Sequence, residues 1–296
     1  MPEMEALMTT ATSTAITFER VLVPTDFSDE SQRALDYARS IARLYQSQLF
    51  LVHVNEPANL IEPPEAAWVA EERIEKELAE QLEQAGAALR SEGFQAQALS
   101  VTGMIQDEIV SVVKTNKIDM VVIGTHGRRG WSRFFFGSDA ETVMRHVRCP
   151  VLMVGPAVAA ITNQVWHPKH LICATTFDPG SAWIAAYAYR LARQYQAEFT
   201  LLNVETSIDT ENPGAWLLFE KSFKESVGDD LILGTPLQTL LCEKAPGGIV
   251  YLAKKQNADL IIMGAHAASG ITSHGSPGTV SQVVAEAPCP VMTLLQ

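Results

Sequence analysis

The chain contains one unit twice, and that duplication narrows the folds open to it. Arg20-Val21-Leu22-Val23-Pro24-Thr25-Asp26-Phe27 returns as His170-Leu171-Ile172-Cys173-Ala174-Thr175-Thr176-Phe177, in each case an apolar run ending in a polar turn. Ala34 to Arg43 and Ala185 to Arg193 follow with apolar residues at helical spacing. Leu49-Phe50-Leu51-Val52-His53-Val54 then matches Phe199-Thr200-Leu201-Leu202-Asn203-Val204. Later, Asp119-Met120-Val121-Val122-Ile123-Gly124 matches Asp259-Leu260-Ile261-Ile262-Met263-Gly264, and Cys149-Pro150-Val151 matches Cys289-Pro290-Val291. Each copy reads β-α-β-α-β-α-β-α-β. Continuous apolar strands alternating with helices predict a parallel sheet covered on both faces. Right-handed crossovers then favour an α/β fold of two tandem, Rossmann-like, doubly wound five-stranded sheets, each in the order 3-2-1-4-5. The units are expected at 18–155 and 169–296, joined by a linker over 156–168 and preceded by a disordered leader over 1–17. Between strands two and three of the first unit, Leu78, Leu82, Ala85 and Leu89 predict one packed face of a charged helix.

Composition removes several function classes. A formal net charge of −12 argues against a duplex nucleic-acid binder. The sequence has no apolar run long enough to span a membrane, and residues 1–17 carry no basic residue, against a secretory signal. The 4 cysteines form no CxxC pair, so the reading is a reduced, cytoplasmic protein with cysteines in its core. His167 and His170 flank Pro168 and make a poor metal pair, and His53 reads as a packed strand residue.

The chemistry concentrates after the fourth strand of the first unit. Gly124-Thr125-His126-Gly127 is followed, after nine residues, by Gly137-Ser138. Ligands of open α/β sheets bind at the carboxyl ends of the strands. There, glycines admit a close backbone approach and a helix start over 139–146 offers N–H groups to phosphate. Arg128, Arg129 and Arg133 lie within this ladder and are placed to offset phosphate charge, or else form a solvated loop. Asp26 has two readings, a ligand that accepts ribose hydroxyls or binds a metal through water, or a helix N-cap, with Ser28 and Asp29 as rival caps. No GxxxxGK[ST] loop, serine triad or paired carboxylates mark a fast enzyme.

The ladder, the turn Val23-Pro24-Thr25-Asp26-Phe27-Ser28 and the closing Cys149-Pro150-Val151 together resemble the universal stress protein family in its tandem form. The ladder matches that family's motif G-x2-G-x9-G-[S/T]. The resemblance implies bound ATP, with Mg2+ bridging its phosphates. It implies Asp26 near the adenosine, Val54 beside the adenine, and Gly124 and Gly127 under the sugar and phosphates. Gly137 and Ser138 would face the phosphates and His126 would line the site, with Pro24, Thr25, Ile123 and Asp139 completing the set. No catalytic residue and no protein-held metal is implied. The implied function is regulatory, with ATP altering a surface read by an unidentified protein partner. A slow ATPase or nucleotidyl-transferring enzyme, or a ligand-free interaction module, are the alternatives. The two fifth strands are expected to meet across a pseudo-twofold axis, so that one chain mimics a dimer; a further homodimer stays open.

The second unit departs from the motif. Thr176 replaces Asp26, Ala267 replaces Gly127, and neither Gly275-Ser276 nor Gly278-Thr279 keeps the nine-residue spacing. No Arg or Lys follows Gly264. Phosphate binding in this half is expected to be weak or lost.

Overall fold

The computed structural model describes residues 15–56, 65–125, 143–161, 165–177, 179–206, 213–227, 237–265 and 278–295. In the first half, β1 (Arg20–Pro24), α1 (Asp29–Tyr45), β2 (Gln48–Asn55), α2 (Glu65–Ser91), β3 (Gln95–Thr102), α3 (Ile105–Thr115), β4 (Met120–Gly124) and β5 (Val151–Val154) follow in order. A helical stretch over 143–146 precedes β5. The second half repeats the series as β6 (His170–Ala174), α4 (Ala182–Tyr195), β7 (Glu198–Glu205), α5 (Pro213–Val227), β8 (Leu237–Leu241), α6 (Ala245–Lys255), β9 (Leu260–Ala265), α7 (Thr279–Glu286) and β10 (Val291–Leu295).

The strands form one sheet in the order β3-β2-β1-β4-β5-β10-β9-β6-β7-β8. Each half has the predicted order 3-2-1-4-5, and pairing is parallel within it. The halves join at their fifth strands, where β5 and β10 run antiparallel with Val291 opposite Met153, Met292 opposite Leu152 and Thr293 opposite Val151. The expected pair of sheets is therefore one continuous sheet. The hydrophobic fifth strands lack a polar face, and pairing covers the edge each would otherwise expose.

Strand alternation divides the core into two layers. Val21, Val23, Leu49, Leu51, Val122 and Leu152 pack on one side of the sheet, against α1, α2 and α4. Leu22, Phe50, Val121, Ile123, Val151 and Met153 pack on the other, with residues of α3, α6 and α7. Leu82 and Leu89 are fully buried, as the face of α2 predicts.

The local devices are duplicated too. Gln46 and Gln196 end α1 and α4 in the left-handed conformation, at φ 56° and 54°. Asp119 accepts the Glu19 and Arg20 amides, and Asp259 accepts those of Lys169 and His170, so each fourth strand is tied to the entry of its first.

The segment after β5 is anchored to the first half. The Tyr37 hydroxyl donates to the Ala159 carbonyl (3.1 Å), the Trp166 amide donates to the Ser40 hydroxyl (2.5 Å), and the Trp166 ring meets Tyr37 edge-on. At Gly155 the chain passes so close to α7 that a Cβ would stand 2.1 Å from the Val284 carbonyl oxygen. Gln194 of the second half exchanges hydrogen bonds with the Ile16 backbone and donates to the Tyr45 hydroxyl, all at 2.9 Å. Ile16, assigned from the sequence to a disordered leader, is thus held by the opposite half.

Candidate functional site

The carboxyl edge of the first half-sheet gathers the ends of β1, β2 and β4. The Thr25 amide donates to the Val52 carbonyl (2.8 Å), continuing the β1–β2 ladder one residue into the turn. The Thr25 hydroxyl then accepts the Phe27 amide (3.1 Å), and Phe27 takes a positive φ of 62°. His53 Nδ1 lies 2.7 Å from the Thr25 carbonyl oxygen and its ring packs on Phe27. His53 is a brace for this turn, as a packed strand histidine should be.

The two readings of Asp26 separate here. Ser28 is the N-cap of α1, its hydroxyl accepting the Ser31 amide at 3.2 Å. Asp26 Oδ1 in turn accepts the Ser28 amide (3.0 Å) and the Ser28 hydroxyl (2.5 Å). Asp26 therefore orients the cap and is not itself the cap. These bonds hold its carboxylate at the sheet edge, at the end of β1.

Gly124 closes the end of β4 and has a packing reason of its own. A Cβ there would lie 2.5 Å from the Glu30 carbonyl oxygen and 2.6 Å from its carbon, in the first turn of α1. Its neighbour Ile123 is buried in the layer shared with α3, while Val54 and Pro24 are half-buried at the edge. The Thr25, Asp26, Val54, Ile123 and Gly124 positions thus share one end of the sheet. His126, Gly127, Gly137, Ser138 and Asp139, with Arg128, Arg129 and Arg133, lie outside the described residues.

The second half rebuilds the same turn without the carboxylate. The Thr175 amide donates to the Leu202 carbonyl, its hydroxyl meets that of Ser181 at 2.7 Å, and Phe177 has φ 58°. Thr176 stands exposed where the first half has Asp26, and Asn203 stands where it has His53. At this edge lies a cavity of about 310 Å³ between the ends of β6, β7 and β9 and the start of α7. Its lining includes Met144 and Arg145 from the first half. Arg145 Nη2 lies 3.9 Å from where a Cβ on Gly278, the N-cap of α7, would stand. Residue-by-residue comparison of the two copies does not point to it, because the arginine belongs to the first copy and lines the edge of the second.

The remaining candidates for chemistry are quiet. Burial pushes the Cys149, Cys173 and Cys289 thiols up to about 12, so at neutral pH they are protonated, Cys173 and Cys289 in the core and Cys149 half-buried beside it. His170 engages the Gln256 carbonyl and the Thr200 hydroxyl through its two ring nitrogens. Among the described residues no group of three or more His, Cys, Asp or Glu is arranged to hold a metal, and no helix is long and apolar enough to cross a membrane.

Comparison with known proteins gives a consistent result. The model of the universal stress protein family matches residues 17–155 and again 168–294. A universal stress protein of Methanocaldococcus jannaschii is 30% identical over 139 residues, covering 46% of this chain and 82% of its own length. One from Mycolicibacterium smegmatis is 24% identical over 294 residues, covering 93% of this chain and 96% of its own. The crystal structure of a universal stress protein from Archaeoglobus fulgidus superposes with a TM-score of 0.66 at 18% identity, over 95% of this chain and 98% of that one.

Proposed function

The chain belongs to the universal stress protein family, and from that premise we propose that its first half is an ATP-binding regulatory module. The observation that carries this reading is the unbroken sequence spacing from Gly124 through Gly127 to Gly137-Ser138, which begins at Gly124, the carboxyl end of β4. Asp26 accepts the ribose hydroxyls, Val54 borders the base, and the residues from His126 to Asp139 take the phosphates. Mg2+ rides on the phosphate oxygens. Binding engages the residues between Gly127 and Gly137 and so presents a nucleotide-dependent surface to a protein partner in the cytoplasm.

Isothermal calorimetry of the full chain with MgATP tests this. One ATP per chain is expected, because Thr176 and Ala267 remove the matching groups in the second half. Two equal sites, or none, would overturn it. Phosphate release measured on the same samples separates a switch from an enzyme: a regulatory module keeps its ATP over many minutes.

A further inference from the structure

We propose that the short segments ahead of β1 and β6 are reciprocal latches between the halves, with the one at Ile16 the releasable member. Each half lends the residues before its first strand to the first helix of the other half. The latches do not depend on the ATP reading.

The two segments are one device built twice. Ala15-Ile16-Thr17-Phe18 and Val165-Trp166-His167-Pro168 stand at matching positions and share one pattern: exposed, half-buried, exposed, buried. Ile16 and Trp166 both pack on the core layer shared by α1, α2 and α4. In each segment a side chain from the opposite half takes both backbone groups of one residue. The Gln194 amide of α4 accepts the Ile16 N–H and donates to the Ile16 carbonyl, each at 2.9 Å. The Ser40 hydroxyl of α1 accepts the Trp166 N–H at 2.5 Å and donates to the Trp166 carbonyl at 3.4 Å. Such a grip satisfies backbone groups that lie outside the strand ladders.

The catches are not copies of each other. Gln194 matches Leu44, and Ser40 matches Arg190, so the two sit one helical turn apart on matching helices. The same grip made by different residues at different positions does not follow from duplication alone. Aromatic rings complete the joint. Trp166 meets Tyr37 of the other half at 5.3 Å, and Tyr45 and Tyr195, the last residues of α1 and α4, meet edge-on at 6.5 Å. Each of those tyrosines also carries a latch residue of its own half, Phe18 on Tyr45 at 5.0 Å and His167 on Tyr195 at 5.5 Å.

The latches differ in strength. Ser40 is 1% exposed, whereas Gln194 lies at the surface, where water competes for its bonds. Ile16 also brings no ring to match Trp166 on Tyr37. The Ile16 latch is therefore the one that opens first.

The test is hydrogen exchange of the full chain, read amide by amide by NMR. In the wild type the Ile16 and Trp166 amides should both be protected, Trp166 the more strongly. Gln194→Leu gives α4 the residue that α1 carries at the matching position, and should speed exchange at Ile16 by at least about tenfold. Gln194→Glu keeps an acceptor for the Ile16 N–H but loses the donor, and should fall between. Gln194→Leu combined with Ser40→Ala should also speed the seam amides of β5 and β10, to which neither catch is bonded, by at least about threefold. If that pair fails to fold, Gln194→Leu alone must still speed the seam amides above wild type. Wild-type exchange at Ile16 in Gln194→Leu, or unchanged seam amides, would overturn the proposal. Equal acceleration in the outer strands β3 and β8 would reveal a general loss of stability and overturn it as well.

Discussion

Met292 stands directly opposite Leu152 across the antiparallel seam, and both side chains are buried in the layer shared by α1, α2 and α4. Leu152→Lys would place an unpaired charge there. We expect it to lower the stability of the full chain by about 3–5 kcal/mol, the usual cost of such burial. Chemical denaturation reads this, and a variant within 1 kcal/mol of wild type (as an approximate threshold) would contradict the seam. A first half expressed alone should pair through Val151–Val154, and light scattering showing a stable monomer would refute that pairing.

Gly124→Ala separates packing from ligand binding. The added methyl meets the Glu30 backbone, which cannot rotate away as a side chain can. Overpacking of this kind costs about 1–3 kcal/mol. The melting temperature should therefore fall in the absence of any nucleotide. Gly127→Val should instead reduce ATP affinity with little change in melting.

Asp26 calls for two substitutions. Asp26→Asn retains an oxygen for the Ser28 amide and should keep α1 capped, while Asp26→Ala releases Ser28. Both should weaken ATP by about 1–3 kcal/mol, the scale of a lost charged hydrogen bond. Only the alanine variant should also lose stability. Unchanged ATP affinity in both would leave Asp26 as a turn residue and nothing more.

Stability should decline at alkaline pH. The thiols of Cys149, Cys173 and Cys289 are raised by burial from 9.0 to about 12, whereas in the unfolded chain they ionise near their ordinary value. Below pH 9 their contribution is fully present. Between there and about 12 the unfolded state has lost protons that the folded state keeps. Stability then falls with rising pH, by up to about 1.4 kcal/mol per unit for each thiol. Tyr37, raised to about 12 chiefly by burial, adds a decline of the same sign. Urea midpoints at pH values on either side of the thiol range should show it, and Cys173→Ala should flatten the slope. A midpoint that does not move would refute it.

The strand order was legible because each copy repeats the same apolar runs alternating with helices, and the seam because the family resemblance implies that the fifth strands meet. What stayed hidden depends on contacts far apart in sequence. Gly124 reads as a ligand glycine until α1 is seen lying across it through Glu30. Asp26 reads equally as cap or ligand until the Ser28 hydroxyl is found on the Ser31 amide. Arg145 carries no such signal, since the edge it lines belongs to the other copy.

Because β5 and β10 lie on one polypeptide, the seam cannot be lost by dilution. Two separate chains meeting through such strands would part as their concentration fell. Here the short stretch from β5 to β6 keeps the strand partners at a fixed, high effective concentration. The ten-stranded sheet is therefore set by the chain itself, at one first half to one second half, whether the cell makes few copies of the protein or many.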